Sequence, residues 1–445
     1  MTFKVKNGLA VGSITVVDQN SYFQQTENAA SVTPSLNLNF TNKSLDPRIA
    51  FQRSSNATFI AASGLIQNAA ANIPRFEHHP ITRECKGLLV ESDRTNILTW
   101  SANTLGGGWT ADQAYLLSTA VAAPDGSATV AKLTEGTSSA GYRIMRHDPA
   151  GILSGTVYTA SIYVKPVEVT AFNLGWYDSS GGGQYAYANF NLSTGAVIDF
   201  NEAYANGFSN AAMANAHITP MADGWYRCAL RFTTGANTGG SIRVGLNTFA
   251  TPGLNVSGMY VWGGQLEIDS MTSFIYTTTA AATRQYETVI VANTNFNKFY
   301  NPTEGTVYAK WTESCDDSLY GVFGITDGTG SNRIDCRRQS NTSIQSLFST
   351  QDVTMVGVGS SVVRPAGVNN VNQFAVAYKV NDVAASLNGN VAHTGTISAV
   401  PQAVNQLALG QMDGNYGYAG SISISQFVYY PKRLDNATLV NITTN

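Results

Sequence analysis

The sequence is poor in charged residues, which make up 12% of its 445 residues against about 25% in an average soluble protein. Exposed helices normally carry Lys and Glu on their outer faces, so this shortage argues against a helical protein. The net charge of −3 argues against a general nucleic-acid-binding surface, because such a surface is strongly basic.

Cysteine is scarce as well. Cys85, Cys228, Cys315 and Cys336 include no CxxC pair, which argues against a disulfide framework and against a zinc cluster. Free thiols are the simpler interpretation, and a disulfide between Cys315 and Cys336 across neighbouring strands stays an alternative. No third ligand accompanies the two histidines at 78–79 at a recognisable spacing, so we predict no metal site there.

Long apolar runs are absent too. No stretch approaches the roughly 18 apolar residues of a membrane span, and residues 1–17 lack the pattern of a signal peptide. We therefore expect a protein that is made in a cytoplasm and does not insert into a membrane.

Glycine, tyrosine, β-branched residues and turn formers are abundant instead: the chain has 41 Gly and 21 Tyr. Aromatic and β-branched residues favour strands, so we predict an all-β fold. A length of 445 residues indicates two to four domains.

The first 105 residues differ from the rest. Residues 1–34 contain short alternating stretches followed by a polar linker, and strands this short cannot fold alone. We predict an N-terminal arm that attaches to other structures. Residues 35–105 concentrate Arg, His and Pro and have one strong strand signal, GLLVE at 87–91. Their prolines favour an irregular, extended segment.

The remaining chain shows the strand spacing of β-sandwiches. In residues 106–285 we predict strands at 128–133, 142–145, 157–164, 172–177, 185–191, 196–200, 225–233, 241–246 and 258–266. In residues 286–445 we predict strands at 305–311, 320–326, 332–338, 373–379, 384–387, 406–410 and 420–430. Asp435 is suited to capping a short final helix. Two sandwich domains are therefore expected.

An ordered series of short clusters lies within residues 45–98. They are LDPR at 45–48, FQRSSNATF at 51–59, GLI at 64–66, NIPRF at 72–76, GLLVE at 87–91 and RTNIL at 94–98. The series resembles a segment of tailed-bacteriophage virion proteins, particularly head fibres, tail fibres and tail spikes. Residues 3–12, FKVKNGLAVG, resemble short β units of cyanophage fibres.

Both predicted sandwiches resemble sugar-binding folds. The first is similar to jelly-roll carbohydrate-binding modules through YTASIYVK at 158–165, DGWYR at 223–227 and YVWGGQLE at 260–267. The second is similar to concanavalin A and laminin-G lectin sandwiches through FAVAY at 374–378, SLNG at 386–389 and GSISI at 420–424. These resemblances imply a homotrimeric protein of the virion surface that joins other virion proteins and binds host-surface polysaccharide.

Sugar binding uses flat aromatic faces beside amides and carboxylates. Trp176, Tyr177 and Asp178 precede a triple glycine, and Tyr185 and Tyr187 follow it, so we predict a glycan site around this turn. The alternative is that alternate members of these strands belong to the core. The tryptophans at 225 and 262 lie among apolar residues and are expected in the core.

A second candidate loop, DGNYGY at 413–418, joins two predicted strands. Asp413, Asn415, Tyr416 and Tyr418 offer a carboxylate, an amide and two phenols to a glycan. Oxygen ligands also suit calcium, so a calcium site is an alternative here, as is a plain β-turn. Apart from that alternative, no cofactor is predicted.

The Arg-rich segment contains a third group of residues. Arg48, Arg53, Arg75, Glu91 and Arg94 form the types of bidentate pairs that hold an irregular backbone in place. We interpret them as structural residues, and in a trimer as interchain contacts.

Enzymatic activity is not predicted. Glycosidic cleavage requires two carboxylates held at a defined separation, and no spacing among residues 168, 178, 199 and 202 identifies such a pair. The sequence contains no GxSxG, Walker or HExxH motif. Two alternatives remain open beside a virion adhesin: a purely structural decoration of a capsid or tail, and a polysaccharide depolymerase.

Overall fold

The computed structural model describes residues 32–136, 143–179, 185–203, 216–236, 238–246, 256–314, 319–340, 343–351, 353–358, 370–412 and 420–444. Antiparallel strands dominate these residues, and the two α-helices among them are short: α1 (Asn293–Asn297) and α2 (Asn436–Thr443). The all-β prediction is confirmed. The predicted strands of the N-terminal arm lie outside the described residues.

The strands follow one another along the whole described chain. The first group is β1 (Leu36–Asn39), β2 (Ala50–Gln52), β3 (Ala57–Ile60), β4 (Ile66–Ala69), β5 (Phe76–His78), β6 (Cys85–Val90) and β7 (Arg94–Asn96). The second group is β8 (Trp109–Asp112), β9 (Ala114–Ser118), β10 (Ala131–Glu135), β11 (Ile144–His147), β12 (Val157–Pro166), β13 (Ala171–Asp178), β14 (Tyr185–Asn191), β15 (Ala196–Ala203), β16 (Ala216–Pro220), β17 (Tyr226–Thr233), β18 (Gly240–Leu246), β19 (Gly258–Ile268) and β20 (Ala282–Arg284). The third group is β21 (Thr288–Ala292), β22 (Glu304–Glu313), β23 (Tyr320–Thr326), β24 (Arg333–Ser340), β25 (Ser343–Thr350), β26 (Val353–Val358), β27 (Val371–Lys379), β28 (Asp382–Leu387), β29 (His393–Gly395), β30 (Gln406–Leu409) and β31 (Ile422–Tyr430).

The first sandwich consists of two sheets with the strand orders β16-β17-β12-β19-β10-β9 and β15-β14-β13-β18-β11-β8. Alternate residues of each strand point between the sheets, as the two-residue period of a strand requires. Phe172, Leu174 and Trp176 on β13 and Leu230 and Phe232 on β17 are buried in this core. Strand β14 therefore buries every second residue, whereas β12 and β19 bury residues on both of their faces.

The second sandwich has the strand orders β29-β28-β27-β22-β31-β6-β5, with β1 also on β31, and β2-β21-β30-β23-β24-β25-β26. Its core contains Trp311, Phe323 and Phe427, and the rings of the last two lie 5.4 Å apart edge to face. Helix α2 packs Leu439 against the outer side of the first of these sheets. Asp435 caps this helix as predicted, since its Oδ1 accepts a hydrogen bond from the Thr438 N–H at 2.8 Å.

Residues 35–105 are irregular over most of their length, as their prolines suggested, but they also contribute short strands to regular sheets. Strands β1, β5 and β6 lie in one sheet of the second sandwich, and β2 pairs with β21 in the other. The remaining strands form short two-stranded ladders, β3 with β4 and β7 with β20. The sequence does not show these pairings, because the strands are three to six residues long, too short to show a period, and β1, β2 and β6 pair with strands more than 230 residues away.

Two further observations concern membrane spans and disulfides. No helix in the described part of the chain has the length and hydropathy that a membrane crossing needs. Cys85, Cys228 and Cys336 are free thiols, whereas Cys315 lies outside the described residues, so its pairing stays a prediction.

Candidate functional site

Three tyrosines lie together on the outer face of the first sandwich. Tyr177 on β13 is directly opposite Tyr185 on β14, and Tyr187 is opposite Gly175. All three rings are half-buried, whereas their strand neighbours 176 and 186 point into the core. The alternation of the two strands therefore brings three residues predicted for glycan binding onto one face.

The three rings are in mutual contact. The ring centroids of Tyr185 and Tyr187 lie 5.4 Å apart, those of Tyr177 and Tyr185 lie 5.7 Å apart, and those of Tyr177 and Tyr187 lie 6.3 Å apart. The planes of the Tyr177 and Tyr187 rings differ by only 6°. The tyrosines thus form a continuous aromatic surface, which we call the tyrosine face.

Gly175 makes this close arrangement possible. A Cβ atom at position 175 would lie 2.6 Å from the Cβ of Tyr187 and 2.9 Å from a ring carbon of Tyr177. Such distances are shorter than real side chains tolerate, so any larger residue would push the rings apart.

Polar groups border the tyrosine face. The guanidinium carbon of Arg243 on β18 lies 4.4 Å above the centroid of the Tyr177 ring, within cation–π range. The Arg243 Nε donates a hydrogen bond to Ser241 Oγ at 2.8 Å, which orients the side chain. One register step away, Asn189 donates to Asp199 across the strand pair β14-β15. The face therefore combines flat rings with donors and acceptors.

Trp176 and Asp178 are not part of this face, and their assignment to the glycan site was wrong. Trp176 is fully buried and stacks on Phe232 of the opposite sheet, with centroids 5.6 Å apart and planes 14° apart. Asp178 is 9% exposed and lies on the same side of the strand. Consecutive strand residues point to opposite faces, so residues 176 and 178 cannot share a face with Tyr177.

The second candidate loop is not described. Asp413, Asn415, Tyr416 and Tyr418 lie outside the described residues, so their role stays a prediction. Within the part that the structure describes, no cluster of three or more His, Cys, Asp or Glu side chains could hold a metal ion.

Three residues of the Arg-rich segment lie in a buried ionic network. Glu287 Oε1 accepts hydrogen bonds from Arg75 Nε at 2.9 Å and from Arg53 Nη1 at 3.0 Å. Arg75 Nη1 also contacts Glu91 Oε2 at 2.7 Å. These side chains are at most 1% exposed, so they have no surface for the interchain contact considered above. Their contacts lie within one chain.

Glu91 also contacts residues that follow the last long strand of the first sandwich and residues of the second sandwich. Its carboxylate accepts hydrogen bonds from the Ser273 N–H at 2.7 Å and from Ser421 Oγ at 2.9 Å, and Arg284 Nη1 lies 3.3 Å away. Burial opposes ionisation, but the charges of Arg284 and Arg75 and the Ser273 hydrogen bonds outweigh it and hold the pKa of Glu91 well below its usual range. The network thus joins residues of the Arg-rich segment to both sandwiches.

The other two residues of the Arg-rich segment are more exposed. Arg48 pairs with its neighbour Asp46 at 2.7 Å, and Arg94 lies 3.8 Å from Asp269. Such pairs contribute little to stability, about 0–1 kcal/mol each.

Sequence reasoning missed three important residues. Arg243 had a usable signal, because an arginine between two apolar residues of a strand points away from the core. Arg284 and Glu287 had none, because they lie in a short linking segment and acquire their roles only through partners from residues 53–91.

One acid considered for catalysis is held as a carboxylate. Glu168 forms an ion pair with Lys132 at 2.8 Å, and it accepts a hydrogen bond from the Gly258 N–H at 3.1 Å. Burial acts against ionisation, but these contacts outweigh it and lower the pKa of Glu168. A general acid for glycosidic cleavage needs a raised pKa, so this arrangement does not suit one.

No known protein family's sequence profile matches this chain, and no curated protein matches it either. Solved structures share parts of it at low identity. The Ruminococcus gnavus IT-sialidase CBM40 bound to α2,3-sialyllactose is 15% identical over 33% of this chain and 84% of that chain, with a TM-score of 0.29. Domain 4 of the GH43 arabinanase AbnA from Geobacillus stearothermophilus, in complex with arabinotriose, is 13% identical over 39% and 82%, with a TM-score of 0.24. A pentraxin from Limulus polyphemus is 9% identical over 32% and 70%, with a TM-score of 0.26.

Proposed function

We propose that this chain is a non-catalytic, glycan-binding protein of a bacteriophage virion surface, and that it holds host polysaccharide on the tyrosine face of its first sandwich. The observation that carries glycan binding is the joint position of Tyr177, Tyr185, Tyr187 and Arg243 on one face of one sheet.

The chemistry of this face suits a sugar chain. Pyranose rings present flat C–H surfaces that pack against aromatic rings, and their hydroxyls need donors and acceptors at the side. Three tyrosine rings in contact supply the flat surface, and Arg243 and Asn189 supply polar groups at its side. An exposed sheet face also allows a polymer to continue in both directions beyond the rings.

The virion location rests on a different observation, the resemblance of residues 45–98 to phage fibre and spike segments. In this proposal the N-terminal arm attaches the chain to other virion proteins and three copies form the appendage. Several copies would convert weak binding at each tyrosine face into strong attachment, because linked sites act at a high effective concentration.

We expect the double variant Tyr185→Ala/Tyr187→Ala to lose at least tenfold in affinity for host polysaccharide, or about 1.4 kcal/mol. Removing both rings eliminates most of the aromatic surface while leaving the core residues of β14 in place. Retention on immobilised host polysaccharide measures the loss. Tyr115→Ala is the matched control, since Tyr115 is 41% exposed on β9 in the opposite sheet.

The same experiment separates the alternatives when new reducing ends are assayed in parallel. Retention without new ends, lost in the double variant, supports the proposal. Full retention in the double variant would place the site elsewhere. New reducing ends would identify a depolymerase, and absence of retention in the natural protein would identify a purely structural decoration.

Attachment is tested separately by deleting residues 1–28. We expect the truncated protein to keep polysaccharide retention but to be absent from purified particles, measured by immunoblotting against a capsid protein standard. Normal incorporation of the truncated chain would contradict attachment through the N-terminal arm.

A further inference from the structure

The sheet of the second sandwich that contains β31 is interrupted at Ser425. Along one edge, β31 pairs with β6 up to Ile424 and with β1 from Gln426 onward, so Ser425 belongs to neither ladder. Along the other edge, the register with β22 shifts between Lys310 and Trp311, which makes Ser425 the extra residue of a β-bulge. Bulges redirect side chains and are frequent beside binding sites.

A cavity of about 550 Å³ lies at this interruption. Its walls come from β6, β22, β31 and the turn after β1, so several distant parts of the chain close around it. The volume falls within the roughly 300–1,000 Å³ of small-ligand sites. It is located in the second sandwich, whereas the tyrosine face lies in the first.

The cavity has positively charged groups in its wall. Lys310 lines it, and it takes part in none of the ion pairs found among the described residues. Lys86 lines it as well, with the Glu77 carboxyl close enough to raise its pKa against the lowering effect of burial. Glu84 is the acidic group of the wall, and its Oε2 accepts a hydrogen bond from Thr82.

His79 contributes a hydrogen-bond donor. Its Nδ1 accepts bonds from the N–H groups of Ile81 at 3.2 Å and Thr82 at 3.1 Å, so in the neutral ring the proton resides on Nε2. Burial and the charge of Lys86 lower the pKa of His79, which keeps the ring neutral at neutral pH. The remaining wall is mainly hydroxyls and amides, including Thr312 and Gln426.

We propose that this cavity binds a carboxylate-bearing saccharide unit, such as a uronic acid, with the ammonium group of Lys310 facing the ligand carboxylate. The hydroxyl, amide and imidazole groups of the wall meet the sugar hydroxyls. Glu77 offsets the charge of Lys86, so Lys310 is the cation of the wall that can meet a ligand charge, which favours an acidic ligand over a neutral one. This second site stands independently of the tyrosine face.

The test is binding of a galacturonate tetramer to the full chain by titration calorimetry, compared with the same tetramer after reduction of its carboxyl groups. We expect the acidic form to bind at least tenfold more tightly. Lys310→Gln should remove that preference, Lys310→Arg should keep it, and Lys379→Gln, at an exposed lysine of β27, should leave it unchanged.

A chemical readout locates the ligand. Cys85 also lines the cavity, whereas Cys228 and Cys336 are fully buried. Bound tetramer should slow iodoacetamide labelling of Cys85 several-fold, with Cys85→Ser as the blank, and the Tyr185→Ala/Tyr187→Ala variant should show the same protection. Equal affinity for both forms of the tetramer, no binding at millimolar concentration, or no change in Lys310→Gln would overturn the proposal.

Discussion

Replacing Glu287 with Gln should lower the free energy of unfolding by about 3–5 kcal/mol, the cost of removing one partner from a buried ion pair. Glu287 contacts Arg53 and Arg75 directly, and its Oε2 accepts a hydrogen bond from the Glu91 N–H at 2.9 Å. Without its charge, three buried guanidinium groups would share the single carboxylate of Glu91. Burying a cation without a counter-charge is unfavourable, so the contacts between residues 53–91 and the segment around Glu287 should be destabilised.

Urea denaturation followed by tryptophan fluorescence measures this effect. Asp46→Asn is the matched control, because it removes the carboxylate of an exposed pair with Arg48, whose loss should change stability by no more than about 1 kcal/mol. A Glu287→Gln protein with an unchanged denaturation midpoint would show that the network is not a determinant of stability. A variant that fails to fold agrees with the expectation.

Replacing Trp176 with Ala should cost about 3–5 kcal/mol of stability, the usual cost of truncating a fully buried aromatic residue. The indole is fully buried, stacks on Phe232, and reaches the backbone at Gly240, where a Cβ atom would come within 2.4 Å of it. Truncation leaves a cavity between the two sheets of the first sandwich that neighbouring side chains cannot fill.

Replacing the next residue, Tyr177, should affect polysaccharide retention more than stability. Tyr177→Ala removes a half-buried ring from the outer face, and we expect a loss of stability well below that of Trp176→Ala but a measurable loss of polysaccharide retention. Thermal unfolding and the retention assay, applied to both variants, compare the two positions. If Trp176→Ala kept full stability and lost retention, the indole would be a ligand contact after all.

The predicted glycan site shows that strand periodicity can predict which residues share a face of a strand. Tyr177, Tyr185 and Tyr187 were selected as aromatic residues beside a turn, and the two-residue period already requires Tyr185 and Tyr187 to share a face. Periodicity cannot state which of two faces is covered by another sheet. Trp176 and Asp178 were therefore assigned to the same site as Tyr177, although they are its direct neighbours in the strand and point to the opposite face.

In the Arg-rich segment, by contrast, the sequence did not predict which residues pair with each other. Arg53, Arg75 and Glu91 were correctly marked as members of charged pairs, but Glu91 was the only acid considered as a partner. Glu287 is 212 residues away from Arg75 and Arg284 is 193 residues from Glu91. No local pattern links residues at such separations.

The composition and the alternation of apolar residues were enough to establish an all-β chain with sandwich-like strands, because side-chain periodicity is a local property of each strand. The pairing of strands depended on tertiary structure. Strands β1, β5 and β6 complete a sheet whose other members begin at residue 304, and the cavity at Ser425 exists only because β6 and β1 meet along β31. Contacts between distant segments are decided by which surfaces the whole chain can bury together, and that information is spread over all of its residues.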